Sequence, residues 1–236
     1  MEQKEFRKFL LEQISLPREK WDKQFRDYAE RKWSEKAVVR EVPEFFEYEK
    51  RGKDLKRYLA GLDLTEEELK GKKILDLGCG DGNFIKECLD KKITEDVFGF
   101  DYRIKKEAVP SNYRGHLLYA DFEKGPFPTR DFDLIISFAA VEAPSFSGEK
   151  KFPKKTLIFS LEALKEIGEI RIFPIRKSHP QSGLLGIEYS RRVWAEILKE
   201  LESAKGIKWT ITPIDIKSSG RNKDVWLEEL LVIRKK

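Results

Sequence analysis

Between Lys73 and Phe84 the chain reads Lys-Ile-Leu-Asp-Leu-Gly-Cys-Gly-Asp-Gly-Asn-Phe, and few folds accommodate such a run. Ile74, Leu75 and Leu77 make a short apolar stretch of the kind that becomes a buried parallel strand. Gly78, Gly80 and Gly82 follow on alternate positions. Glycine permits positive φ and leaves bare backbone against which a ligand can lie. Asn83 to Leu89 then read as the first turns of a helix. Strand, glycine turn and helix N-terminus together predict a nucleotide-type cradle at the carboxyl end of a strand in an α/β sheet.

The spacing separates two kinds of cradle. A dinucleotide fingerprint needs G-x-G-x-x-G, and counted from Gly78 its third glycine falls on Asn83. The chain instead has Asp76-x-Gly78-x-Gly80-x-Gly82. This pattern resembles the first motif of the class I S-adenosylmethionine-dependent methyltransferases, in which an acid stands just before the glycines. The cofactor implied by that resemblance carries an ammonium and a sulfonium but no pyrophosphate. A carboxylate at the strand end suits such a ligand. Asp76, Gly78, Cys79, Gly80, Asp81 and Gly82 are therefore expected around its methionine half.

Val97-Phe98-Gly99-Phe100-Asp101 reads as the second strand, with Asp101 nineteen residues after Gly82. A carboxylate there can accept both hydroxyls of a ribose, with Tyr102 next to it. That role fits an adenosine cofactor of either kind, and helix capping is the plainer alternative. The third strand is His116 to Ala120, followed by Asp121-Phe122. The segment from Ala120 to Pro128, followed by Asp131 to Ser137, resembles the middle motifs of the same family. The resemblance implies that Asp121 accepts from the adenine amino group and that Phe122 packs on the ring. It also places the end of the fourth strand, Phe132 to Ser137 and then Phe138, beside the methyl group. His116 begins a strand far from that edge and reads as structural.

Phe138-Ala139-Ala140-Val141-Glu142-Ala143-Pro144 follows. Methyltransferases acting on nucleobase amino groups often carry an Asn/Asp-Pro-Pro-aromatic motif here, and its absence from this chain argues against that acceptor class. No Pro-Cys pair is present to attack a pyrimidine covalently. Residues 145–155 read as a polar, basic loop, then a helix from about Lys154 to Ile167 and a fifth strand from Gly168 to Ile175. A helix from Ile187 to Ala204, a strand from Lys208 to Ile216, a turn from Ser218 to Asp224 and a strand from Val225 to Ile233 complete the chain. The expected fold is thus a Rossmann-like, seven-stranded, mostly parallel sheet with an antiparallel last strand over residues 71–236. Acids and bases near the methyl are few, and Glu142 and His179 are the candidates for a general base.

Residues 1–70 read as a helical N-terminal extension. Phe6, Phe9, Leu10 and Ile14 recur at helical spacing, as do Trp21, Phe25 and Tyr28 after Pro17. Phe45, Phe46, Leu55, Tyr58, Leu59 and Leu62 form a third apolar set. Such aromatics either pack on the flank of the sheet or form a lid that shapes an acceptor pocket. On the lid reading, a chain beginning near Thr65 keeps its cofactor and loses its acceptor.

Composition bounds the remaining classes. Two cysteines, Cys79 and Cys88, make no disulfide framework. The N-terminus is charged from Glu2 onward, and the longest apolar stretch, Leu134 to Val141, is too short to span a bilayer. A cytoplasmic protein without a membrane or metal partner is expected. Charged residues are 38% of the chain while Asn occurs three times and Gln four, a thermophile-like balance. Residues 150–236 hold 19 bases against 11 acids, which is compatible with RNA or another anionic acceptor, although a small molecule is favoured. The expected activity is methyl transfer from S-adenosylmethionine, leaving S-adenosylhomocysteine. A cofactor-binding module without turnover and an NAD-dependent oxidoreductase are the alternatives.

Overall fold

The computed structural model of the chain describes residues 54–105, 107, 109–121, 125–141, 151–175, 183–214 and 228–236, together with 9, 12, 13, 16 and 20–27; the side chains of 151, 152, 183–191 and 228 are not described. Asp54 caps helix α1 (Leu55–Leu62), its carboxylate accepting from the Arg57 amide at 2.9 Å. Thr65 opens the single turn α2 (Glu66–Leu69) with the capping box that Thr65 and Glu68 predict. The apolar run becomes β1 (Ile74–Leu77), and the glycine turn leads into α3 (Asn83–Asp90). There follow β2 (Val97–Asp101), β3 (Leu117–Tyr119), β4 (Phe132–Phe138), α4 (Lys151–Ala163), β5 (Leu164–Phe173), α5 (Gly183–Lys205), β6 (Ile207–Ile214) and β7 (Glu228–Lys235).

The seven strands form one sheet in the order β3-β2-β1-β4-β5-β7-β6. Strand β7 runs antiparallel between β5 and β6, while the pairs β1–β2, β2–β3, β1–β4 and β4–β5 are parallel. The order reverses at β1 and β4, and a crevice outside the carboxyl ends of strands at such a reversal is where ligands of open α/β sheets bind.

Successive side chains of a strand point to opposite faces, and the two faces here fill two different cores. Leu75, Leu77, Ile135, Ile170, Ile172, Leu231 and Ile233 pack with Leu157 and Leu161 of α4 and Trp194 and Leu198 of α5. Ile74, Leu134, Ile136, Phe138, Phe173 and Leu230 pack with Leu55, Tyr58 and Leu62 of α1 and Phe84, Ile85 and Cys88 of α3. The same alternation sends Asp76, between Leu75 and Leu77, to the face of α1 and α3. Arg171, between Ile170 and Ile172, goes there too.

Helix α1 therefore belongs to the sheet's own packing. Its Gly61 is so close to β4 and β5 that a Cβ would sit 2.6 Å from Phe138 Cε2 and 2.7 Å from Phe173 Cδ1. Arg171 of β5 donates from Nη1 to the Leu62 and Asp63 carbonyls, tying down the helix end. The expected division at residue 70 thus crosses one packed unit at α1. Trp21 and Phe25 are likewise buried in the first core, their rings edge-on at 4.8 Å. Tyr28, Phe45 and Phe46 lie outside the described residues.

Several element ends differ from the sequence reading by a few residues, among them the junction of α4 and β5. The helix expected to reach Ile167 ends at Ala163, and 164–167 are already strand. Leu157, Leu161 and Leu164 share a helical spacing, yet Leu164 pairs with Phe132 and regular pairing resumes at Leu134 with Glu169. The intervening irregularity leaves Ile167 94% exposed. Periodicity cannot register a strand that starts with a bulge. The turn 218–224 lies outside the described residues.

Candidate functional site

The glycine turn has the conformation its spacing requires. Gly78, Gly80 and Gly82 have φ of 77°, 59° and 72°, a region that a Cβ makes costly. Gly78 and Cys79 both donate their amides to the Phe100 carbonyl, at 2.7 and 3.2 Å, and Gly82 donates to the Cys79 carbonyl at 3.0 Å. The turn is thus laced to the end of β2. A Cβ on Gly82 would meet Leu117 Cδ2 at 2.3 Å. The Cys79 thiol is buried and fills the notch that Gly99 leaves, since a Cβ at Gly99 would lie 2.6 Å from the sulfur. Asp81 is exposed on the turn.

Asp101 ends β2 and is buried beside that turn. Its Oδ2 accepts from the Gly80 amide at 2.9 Å and its Oδ1 from the Arg103 amide at 2.8 Å. The Arg103 guanidinium adds Nε to Oδ1 at 3.1 Å and Nη2 to Oδ2 at 3.3 Å. Burial pushes the Asp101 carboxyl up, but the bonds from Arg103 and Gly80 outweigh it and hold the group below its ordinary value. The carboxylate joins the glycine turn to the end of the second strand. Tyr102 beside it is exposed, with the Arg103 guanidinium 5.9 Å from its ring centroid.

Asp76 is fully buried, and its Oδ2 accepts from the Tyr58 hydroxyl at 2.7 Å. The Tyr58 ring stacks between Phe84 at 4.5 Å and Phe138 at 4.8 Å. Burial, and then the charge of Asp76, raise the Tyr58 hydroxyl well above its usual value, so it remains a donor through the neutral range. At the end of β4, Ser137 Oγ donates to the Leu77 carbonyl at 3.1 Å and accepts from the Val141 amide at 3.0 Å. It spans the two strands where the sheet order reverses. The chain then turns at Ala139, whose φ is 55°.

The structure brings together Asp76, Gly78, Cys79, Gly80, Gly82, Asp101, Ser137 and Phe138 at the carboxyl ends of β1, β2 and β4. Asp121 follows β3 and is half-buried. Phe122, Glu142 and His179 lie outside the described residues. His116 has its Nδ1 2.9 Å from the Val97 carbonyl, at the opposite end of β2. Tyr58 and Arg103 are the site neighbours that sequence reasoning missed. The available signal for Tyr58 was a hydroxyl on an apolar helical face with Leu55 and Leu62, since a buried tyrosine needs a partner for its O–H.

Elsewhere, several bases of the last third are matched by acids: Lys154 with Glu200, Lys205 with Glu162 at 4.0 Å and Lys236 with Glu202 at 3.4 Å. Among the described residues no group of three or more His, Cys, Asp or Glu is placed to hold a metal. Among them, too, no helix is long and apolar enough to cross a membrane.

Residues 29–145, which run through α1, the glycine turn and β4, match the model of a family described as a methyltransferase domain. No curated protein matches the chain. Among solved structures, the plantazolicin methyltransferase BpumL in complex with a pentazolic desmethylPZN analog and SAH aligns over 100% of both chains, with 14% identity and a TM-score of 0.54. An S-adenosylmethionine-dependent methyltransferase from Clostridium acetobutylicum covers 72% of this chain and 86% of its own, with 15% identity and a TM-score of 0.51. TrmN from Thermus thermophilus covers 77% of this chain and 48% of its own, with 15% identity and a TM-score of 0.50. At these identities the structural likeness speaks for the fold, and the family match extends it across the acid-glycine turn. The chain thus matches a methyltransferase domain over residues 29–145 and has the fold of the S-adenosylmethionine-dependent methyltransferases with which it aligns.

Proposed function

We propose that the chain binds S-adenosylmethionine along the carboxyl ends of β1 to β4 and passes its methyl group to a small-molecule nucleophile. The observation that carries this reading is the turn from Asp76 to Gly82: three glycines at positive φ, a buried acid before them and a second acid bonded to Gly80. Bare backbone at Gly78, Gly80 and Gly82 gives room for a ligand where any Cβ would intrude or strain. Asp76 lies beneath the turn, and its charge attracts the cofactor's ammonium through poorly screened protein interior. Asp101 accepts the ribose hydroxyls. Asp121 and Phe122 take the adenine, with Tyr102 at its rim.

When bound, the cofactor supplies a methyl group already activated by the sulfonium. The protein's part is to orient the acceptor, exclude water and, for a weak nucleophile, remove a proton. Ser137 and Phe138 stand where β4 ends, and in this reading they border the methyl. Glu142 and His179 follow β4 and β5 in the sequence and are the bases we assign to deprotonation. RNA or another anionic acceptor is the second choice; the paired lysines between α4 and α5 favour it less than the raw charge does. Two buried cysteines outside any disulfide, Cys79 and Cys88, agree with a reducing, cytoplasmic setting.

Calorimetry tests the assignment. S-adenosylhomocysteine should bind in the micromolar range, about −8 kcal/mol, and NAD should not compete with it. Tighter binding of NAD would sink the reading. Labelled methyl transfer into the small-molecule fraction of a cell extract, rather than its RNA, is the expected outcome for the acceptor. No transfer to either fraction would favour a binding module without turnover.

A further inference from the structure

We propose that Tyr58, on a helix before the glycine motif, is a positioning residue for the cofactor: its hydroxyl fixes the Asp76 carboxylate beneath the glycine turn and so sets affinity for the methionine half. The inference rests on the role given above to Asp76.

Three observations carry it. The first is direction. Alternation along β1 turns the Asp76 side chain away from α4 and α5 and toward α1 and α3. From that side Tyr58 delivers an O–H to Oδ2 at 2.7 Å, with both residues fully buried. A hydrogen bond to a charged group in such a place is among the stronger ones a protein makes. The second is rigidity. The phenol ring is clamped between Phe84 of α3 and Phe138 of β4, with interplanar angles of 14° and 23°. Its hydroxyl has one place to point. The third is register. Gly61 lets α1 approach Phe138 and Phe173 to within contact, and Arg171 holds the helix end. The hydroxyl is therefore delivered by an element whose position is set at several points. Phe84 also lies in the first turn of α3, directly after the glycine turn. Tyr58 thus touches both ends of the cradle, the acid before it and the helix after it.

A tyrosine that only filled core space would need its ring and not its hydroxyl. The test exploits this with two ligands that share adenosine and differ in the amino-acid end: S-adenosylhomocysteine and 5′-methylthioadenosine. In Tyr58→Phe the ring stack is kept and one hydrogen bond is lost. The expected result is S-adenosylhomocysteine binding weakened about tenfold, against a change of less than about twofold for 5′-methylthioadenosine, the scale of one charged hydrogen bond acting through its partner. In an Asp76→Asn background the same substitution should add less than about twofold, because the group it acts through is no longer a carboxylate. Melting curves check that each variant is folded. As a second variant, 4-aminophenylalanine at position 58 returns a donor to the same place and should recover most of the tenfold loss.

Equal weakening of both ligands, or no weakening of either, overturns the proposal and leaves Tyr58 as core. So does failure of the amino variant to recover affinity. Should Asp76→Asn itself leave S-adenosylhomocysteine binding unchanged, the role of Asp76 falls and the inference with it. That outcome is distinct from an Asp76 that matters and a Tyr58 that does not.

Discussion

Arg103→Gln should tighten the cofactor rather than loosen it. A carboxylate offers about four acceptor positions, and Asp101 already receives bonds from Gly80 N, Arg103 N, Nε and Nη2. A ribose diol that donates to Asp101 must displace some of them. The two amides are backbone groups, one in the glycine turn and one just after β2, so the guanidinium is the part that yields. Its side chain is 56% exposed, and ion pairs so open to solvent contribute about 0.2–1 kcal/mol. Removing the competitor should therefore improve S-adenosylhomocysteine affinity about 1.4- to 5-fold at neutral pH by calorimetry. Added salt should narrow the gap, since it weakens the pair only in the wild type. The acid limb gives an independent sign. Arg103 helps hold the Asp101 carboxyl below its ordinary value, so its loss lets that carboxyl protonate at a higher pH. Binding that needs the carboxylate should then fail sooner as pH falls in the variant than in the wild type. Weaker binding at neutral pH in Arg103→Gln would refute the displacement argument and show that the guanidinium serves the ligand.

Gly82→Ala should destabilise the fold by about 2–5 kcal/mol in urea titrations: about 1–2 for a left-handed alanine and about 1–3 for the overlap with Leu117. In a Leu117→Ala background only the first part should remain, and equal costs in both backgrounds would show that the overlap is relieved by other means. Arg171→Met should cost about 3 kcal/mol, because the Leu62 and Asp63 carbonyls lose a buried charged donor and Glu169 loses one of its two arginine partners among the described residues; a cost under about 1 kcal/mol by the same assay would contradict the tie. A chain starting at Thr65 should lose both solubility and tight S-adenosylhomocysteine binding, since it lacks Leu55, Tyr58 and Leu62 from the second core; a folded truncation that binds as the full chain does would restore the lid as a separable part.

How much of this could be read without coordinates depended on range. Strand β2 begins and ends where its residues predict, because an apolar run closed by an acid is a local signal. The left-handed glycines were legible for the same reason. The Tyr58–Asp76 pair spans 18 residues and joins a helix face to a strand face, and no window of sequence contains that relation. Arg103 stands two residues from Asp101, yet its guanidinium turns back onto that carboxylate only because the fold buries Asp101 beside the glycine turn. The start of β5 escaped because Leu161 and Leu164 suit a helix as well as a bulged strand. Of the aromatic residues read in the N-terminal region as needing burial, Trp21, Phe25 and Tyr58 are buried. Where Trp21 and Phe25 went was a matter of tertiary packing.

Gly61 has a bearing on how the protein is assembled. A helix of eight residues cannot sustain itself in water, and a glycine inside it costs about 1 kcal/mol more relative to alanine. Helix α1 therefore forms because the rings of Phe138 and Phe173 receive it at the distance that only glycine allows. The sheet, more than its own turns, holds α1 in place, so amide exchange in α1 should run ahead of exchange in β4. Whenever α1 detaches, the chain keeps its glycine turn but loses the hydroxyl that reaches Asp76.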